Sequence, residues 1–170
     1  MTSVSVDTVA AFQPTHCCTV QEWMEIQGGM NTYPPHYVDV IWASPPCTEY
    51  SRAKSTWPPV PNPLDPLQPH RDFAMSDDNV RAASRVIATL KPRYWFLENP
   101  EGYLHTRSVM QDLEALKTVC TYCMYGSAFR KPTRIWTNAV RSKTLQRCSV
   151  VTPYQHKKET GRHPMTAQAG

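Results

Sequence analysis

Tyr37-Val38-Asp39-Val40-Ile41-Trp42-Ala43-Ser44 is an apolar, β-branched run, and Pro45-Pro46-Cys47 stops it at once. Such a run predicts a strand buried on both faces, as in the interior of a parallel sheet. Downstream, Ser76 or Asp77 can cap a helix reaching about Leu90, with Val80, Ala83, Ile87 and Leu90 on one apolar face. Lys91-Pro92 ends that helix, and Tyr94-Trp95-Phe96-Leu97 reads as a second buried strand stopped by Glu98-Asn99-Pro100. Thr106 can cap a further helix through Leu116, with Val109, Leu113 and Leu116 aligned. Val119–Met124 and Arg134–Thr137 are the third and fourth strand candidates. Strand, helix, strand, helix, strand predicts an α/β fold with a parallel sheet and crossover helices.

Upstream of Tyr37 the signals are weaker. Gln21–Gln27 can make a short helix ended by Gly28-Gly29. No strand precedes those glycines, so they do not read as a dinucleotide loop. Six prolines between residues 57 and 69 predict an extended loop. The chain divides into a weakly patterned segment 1–36, a core 37–140 and a basic tail 141–170.

Charge is unevenly spread. Residues 1–129 carry 9 basic and 13 acidic side chains; residues 130–170 carry 9 basic and 1 acidic. A basic block on a mildly acidic body is the footprint of a polyanion contact, or simply a solvated tail. Proline is 16 of 170 residues, about twice the usual share, which argues against a helical bundle. No apolar stretch is long enough for a membrane helix, and Met1–Phe12, with no basic region followed by an apolar run, is not expected to be a secretory leader. The six cysteines are expected as free thiols in a reducing, cytoplasmic setting.

Open α/β sheets place their ligands beyond the carboxyl ends of the strands. Cys47 follows the first predicted strand and Glu98 closes the next, so both are expected in one cleft. A thiol held in a proline-stiffened turn, followed by polar Thr48-Glu49-Tyr50-Ser51, is a candidate nucleophile. Arg52 and Lys54 lie close enough in sequence to favour its thiolate. The structural alternatives are a buried inert thiol for Cys47, a capping or salt-bridged carboxylate for Glu98, and a surface ion pair for Arg134.

Ser44-Pro45-Pro46-Cys47-Thr48-Glu49-Tyr50-Ser51, followed by Glu98-Asn99-Pro100, resembles the cytosine-C5 DNA methyltransferases. Their nucleophile lies in a Pro-Cys motif after a strand and their acid in a Glu-Asn motif after the next. Arg134, in Pro132-Thr133-Arg134-Ile135-Trp136-Thr137-Asn138, is similar to the family's later arginine motif, which supports the flipped base. The Gly161-Arg162-His163 ending is similar to small phage-type members. The resemblance covers roughly residues 37–170 and makes 37–140 the catalytic core. It implies a truncated Rossmann-like methyltransferase fold, S-adenosylmethionine as cofactor and DNA as substrate. Cys47, Glu98 and Arg134 are then catalytic, and Ser44 and Pro45 contact the cofactor. Ser51, Arg52, Lys54 and Asn99 contact substrate, with the loop from Thr48 to Pro69 as a lid. The family's Phe-x-Gly-x-Gly cofactor loop has no counterpart before Tyr37. The resemblance therefore also admits a second polypeptide supplying the cofactor half, or a catalytically incomplete nucleic-acid-binding module. In that module Trp136 and Tyr154 would stack on bases.

Other chemistries fit less well. Cys120-x-x-Cys123, with Cys148 and His156, has zinc-type ingredients but no second compact ligand pair. A nucleobase deaminase needs His-x-Glu and Pro-Cys-x-x-Cys, and position 50 is Tyr. A cysteine hydrolase needs a histidine base, and His36, His70 and His105 form no recognisable arrangement with Cys47.

Overall fold

A computed structural model describes residues 3–52, 71–111, 113, 116–127, 130–140 and 145–148. The central unit is β3 (Val40–Ala43), α2 (Phe73–Leu90) and β4 (Tyr94–Pro100). β3 and β4 are parallel and in register, Val40 opposite Tyr94 and Ala43 opposite Leu97. α2 lies between them in sequence.

The rest of the sheet departs from expectation. β6 (Pro132–Thr137) inserts antiparallel against β4, and β5 (Leu116–Thr121) pairs antiparallel with β6, giving the order β3-β4-β6-β5. The fold is mixed α/β, and the sheet has one parallel pair rather than parallel strands throughout. The helix expected from Thr106 to Leu116 does not form. In its place are two single turns of 3₁₀-helix, Leu104–Thr106 and Ser108–Met110, after which Leu116 already pairs with Thr137. Those short turns bury Leu104, Val109 and Met110, so the apolar positions serve the core without a helix. The third strand begins at Leu116 and stops at Thr121. Tyr122–Tyr125 is a 3₁₀ turn closed by Gly126 at φ 96°, a left-handed conformation suited to glycine.

Glu98, Asn99 and Pro100 do not stop β4. They are its last residues, paired with Ile135, Arg134 and Thr133 of β6. Proline is tolerated there because it ends the strand. α2 starts earlier than its sequence signals because Asp72, rather than Ser76 or Asp77, accepts from the Met75 amide at 3.2 Å. Ser76 and Asp77 are buried inside the helix. The helix ends at Lys91, which is left-handed at φ 45°.

α2 supports two apolar clusters. Val80 and Ile87 pack with Tyr50, Trp95, Leu97, Leu104 and Trp136. Ala82, Val86 and Leu90 pack with Trp23, Met24 and Met30 from the N-terminal segment. That segment holds the parallel pair β1 (Val6–Asp7) and β2 (His16–Cys17), then α1 (Val20–Glu25). Thr19 and Glu22 form a reciprocal capping box at the start of α1. The C-cap is Ile26, two residues before the expected glycines. All six cysteines are free of disulfides. Burial and the neighbouring Cys148 thiol push the Cys123 thiol up to about 11. Among the described residues no helix is long and apolar enough to cross a membrane.

Candidate active site

Because β3 and β4 are parallel and in register, the chain leaving β3 at Ser44-Pro45 runs beside Glu98-Asn99 at one end of the sheet. The Asn99 side chain fastens the two together, its Nδ2 donating to the Pro45 carbonyl at 2.9 Å. Asn99 is fully buried, and its Oδ1 has no hydrogen-bond partner among the described residues. Cys47, two residues past this tether, is half-buried. Its carbonyl accepts from the Tyr50 and Ser51 amides at 3.0 and 2.8 Å, which closes the turn.

The turn is buttressed from below. Tyr50 is fully buried and donates its phenol proton to Asp77 at 2.7 Å. Arg107 completes the set with a 2.9 Å ion pair to Asp77. Burial opposes ionisation of Asp77, but its bonds from Arg107 and Tyr50 outweigh it and hold the carboxyl below the usual range. Burial first, and the Asp77 contact second, push the Tyr50 phenol strongly up. Arg71 clamps the outer side, its Nη1 donating to the carbonyls of Glu49 and Ser51. The Tyr103 amide donates to the Tyr50 carbonyl at 2.9 Å. Gly102 allows this approach, because a Cβ there would lie 2.1 Å from that oxygen.

Glu98 is nearly buried, at 7% exposure, and sits on the face of β4 opposite Asn99. On that face Phe96 stacks on Trp42, with centroids 5.6 Å apart, and the Trp42 indole donates to Ser44 Oγ at 2.9 Å. Tyr122 donates its hydroxyl proton to Glu98 Oε1 at 3.1 Å, and Lys131 Nζ lies 3.9 Å from the same oxygen. Burial, then the Glu98 charge and hydrogen bond, push the Tyr122 phenol up to about 12. At neutral pH that proton therefore stays on Tyr122.

Ser44 and Pro45 line a groove of about 460 Å³ that also takes in Asp7, Thr8 and Thr19. Asp7 is the only carboxylate among the described residues lining it. A carboxylate at a strand end beside apolar walls would suit an adenosyl group, accepting from its hydroxyls and leaving the walls to the base.

The structure therefore brings together the segments carrying Ser44, Pro45, Cys47, Glu98 and Asn99. Arg134 stands opposite Asn99 across the β4–β6 pairing, not opposite Glu98. Its guanidinium lies 3.5 Å from Glu101, which Arg147 also reaches at 2.9 Å. Ser51 contributes its carbonyl to the Arg71 clamp, and Arg52 is exposed. Lys54, most of the expected lid and Tyr154 lie outside the described residues. The described start of that lid, Thr48–Ser51, is part of the clamped turn.

Sequence reasoning missed Tyr122, Lys131, Arg71 and Asp7. Only Asp7 left a readable mark, closing the alternation Val4-Ser5-Val6-Asp7. Tyr122 and Lys131 reach the site through β6 insertion and the fold of the 3₁₀ turn, and Arg71 from just before α2, none of which has a local signature.

The chain is similar to a probable DNA (cytosine-5)-methyltransferase of Frog virus 3 (isolate Goorha), 28% identical over 116 residues. The match covers 61% of this chain and 48% of the viral protein, so the chain spans about half the length of that relative. No protein-family model matches the chain. The viral likeness supports the resemblance carried by the Cys47 and Glu98 motifs.

Proposed function

We propose that this chain carries the nucleophile and the acid of a DNA cytosine-C5 methyltransferase. The observation that carries this reading is the Asn99–Pro45 hydrogen bond, which ties the turn holding Cys47 to the strand holding Glu98. Cytosine C5 is a poor nucleophile while the ring is aromatic. The Cys47 thiolate adds to C6, forming the S–C6 bond. A proton shared between the Glu98 carboxyl and N3 offsets the charge that develops on the ring, and the electron pair released from the C5–C6 double bond makes C5 nucleophilic. S-adenosylmethionine, held by Ser44, Pro45 and Asp7, supplies the electrophilic methyl group when bound. Transfer of the C5 proton to water then expels Cys47 as thiolate, N3 returns its proton to Glu98, and the aromatic ring is restored. The target carbon is inaccessible in a duplex, so the base must leave the stack.

Tyr122 and Lys131 supply hydrogen-bond and charge partners that steady the Glu98 carboxyl between turnovers. Asn99 positions the Cys47 turn rather than touching the base. Arg134, engaged with Glu101, supports the end of β4 and β6. The basic tail is the phosphate contact in this reading.

The test is covalent trapping on DNA containing 5-fluorocytosine, which has no C5 proton to lose. Wild-type chain with S-adenosylmethionine should give a denaturation-resistant adduct, and Cys47→Ala should give none. Release of tritium from C5-tritiated cytosine in DNA, without cofactor, reads the Cys47 addition alone. Failure of the wild-type chain in both assays sinks the reading.

A further inference from the structure

The two oxygens of Glu98 meet different surroundings. Oε1 accepts from the Tyr122 hydroxyl at 3.1 Å and lies 3.9 Å from Lys131 Nζ. Oε2 has no hydrogen-bond partner among the described residues. Nor is it sealed in, since the fully buried unpaired side-chain atoms there are His16 Nε2, Trp23 Nε1 and Asn99 Oδ1. Tyr122 and Lys131 also hold each other. The Tyr122 amide donates to the Lys131 carbonyl at 3.2 Å, and Lys131 Nζ stands 5.3 Å from the centre of the Tyr122 ring. Tyr122 opens the 3₁₀ turn after β5 and Lys131 immediately precedes β6, so the β5–β6 pairing, with Thr121 opposite Pro132, places both. One oxygen is thus engaged by a fixed pair of donors while the other stays open.

We propose that Tyr122 and Lys131 are positioning residues that fix Glu98 through Oε1, so that Oε2 is the oxygen sharing a proton with N3 and the carboxyl's negative charge gathers on Oε1. The inference rests on the methyltransferase reading and adds to it which oxygen works and what holds the other. As the Cys47 sulfur bonds to C6, the proton moves from Oε2 to N3: the O–H bond breaks, the N–H bond forms and the carboxyl is left a full anion. A phenol donor and a nearby ammonium interact more strongly with that anion than with the neutral acid. Both contacts therefore tighten as the adduct forms, which is the condition for acting on the rate rather than on DNA binding. The proton returns to Oε2 when the ring regains its aromaticity. Tyr122 serves only as a donor in this exchange, because burial and the Glu98 charge keep its own proton in place at neutral pH.

The test is a double-variant cycle on the full chain, read as the rate of adduct formation on 5-fluorocytosine DNA with S-adenosylmethionine. Tyr122→Phe should slow the reaction about ten-fold at saturating DNA while DNA affinity stays within about two-fold of wild type. In the Glu98→Gln background the same change should slow it less than about two-fold, because no carboxylate forms for the hydroxyl to hold. Lys131→Met should slow it about three-fold and Lys131→Arg, which keeps the charge, much less. Equal slowing by Tyr122→Phe in both backgrounds overturns the proposal, as does a loss confined to DNA affinity. A second readout needs no DNA. In chain carrying carbon-13 at tyrosine Cζ, the Tyr122 signal is the one absent from Tyr122→Phe. Its phenol, pushed up to about 12, should titrate about one pH unit lower in Glu98→Gln. An unmoved phenol overturns the proposal even where adducts form. A moved phenol in a wild-type chain that traps no DNA and releases no tritium sinks the methyltransferase reading, and the proposal with it, so the two failures are told apart.

Discussion

The two faces of β4 do different work. Trp95, Leu97 and Asn99 turn towards α2, where Leu97 and Asn99 are fully buried and Asn99 holds Pro45. Phe96 and Glu98 turn the other way, to half-exposed Trp42 and to Tyr122 and Lys131. Neighbouring residues thus divide the tasks. One face fixes where the turn bearing Cys47 sits, and the other presents the Glu98 carboxyl to Tyr122 and Lys131. The two-residue strand period makes this possible, since Glu98 and Asn99 share a position along the sheet but not a side of it.

The sharpest way to break that division is Glu98→Gln. It keeps the Tyr122 contact in shape but has no proton to give, so adduct formation should fall about 10²- to 10⁴-fold with little change in Tm. Trapping kinetics and calorimetry on one sample would show it; a parallel fall in Tm would mean that the Glu98 face is structural too. Leu97→Ala, on the opposite face, should cost about 3 kcal/mol of stability by denaturant unfolding. The surviving folded fraction should trap DNA at close to the wild-type rate.

Asp77→Asn lies one layer deeper and should cost about 2 kcal/mol, because buried Tyr50 and Arg107 lose their anionic partner. It should also change the pH profile. The folded-state value of Asp77 is depressed, so its contribution is fully present above the ordinary carboxylate value near 4 and is lost as pH falls through the folded value. Thermal melts from pH 6 down to pH 2 should therefore converge for wild type and Asp77→Asn at the acid end. The smallest effect is Asn99→Ala, which removes one hydrogen bond, about 1 kcal/mol, while adduct formation drops about ten-fold through a looser turn. A stability loss with an unchanged rate would remove Asn99 from the positioning of Cys47.

The motif strands were legible because their signals are local. The β-branched run before Pro45-Pro46 and the spacing of Val80, Ile87 and Leu90 place β3 and α2 within a few residues. β4 was truncated in the sequence reading because Glu98-Asn99-Pro100 looks like a stop, whereas its pairing with β6 is a long-range event. The Thr106 helix failed for a related reason: its apolar positions have helical spacing, but core packing takes them up in single turns. Of the site, Cys47, Glu98 and Asn99 were readable as motifs. Tyr122, Lys131 and Arg71 were not, because only the tertiary arrangement brings them there.

The order β3-β4-β6-β5 also constrains how the molecule is made. The strand between β4 and β5, Pro132–Thr137, leaves the ribosome after both of them. Until it emerges, β4 and β5 have no backbone contact with each other. Folding of this half should therefore be slow to start and concerted once begun, with residues 94–121 waiting for their central partner.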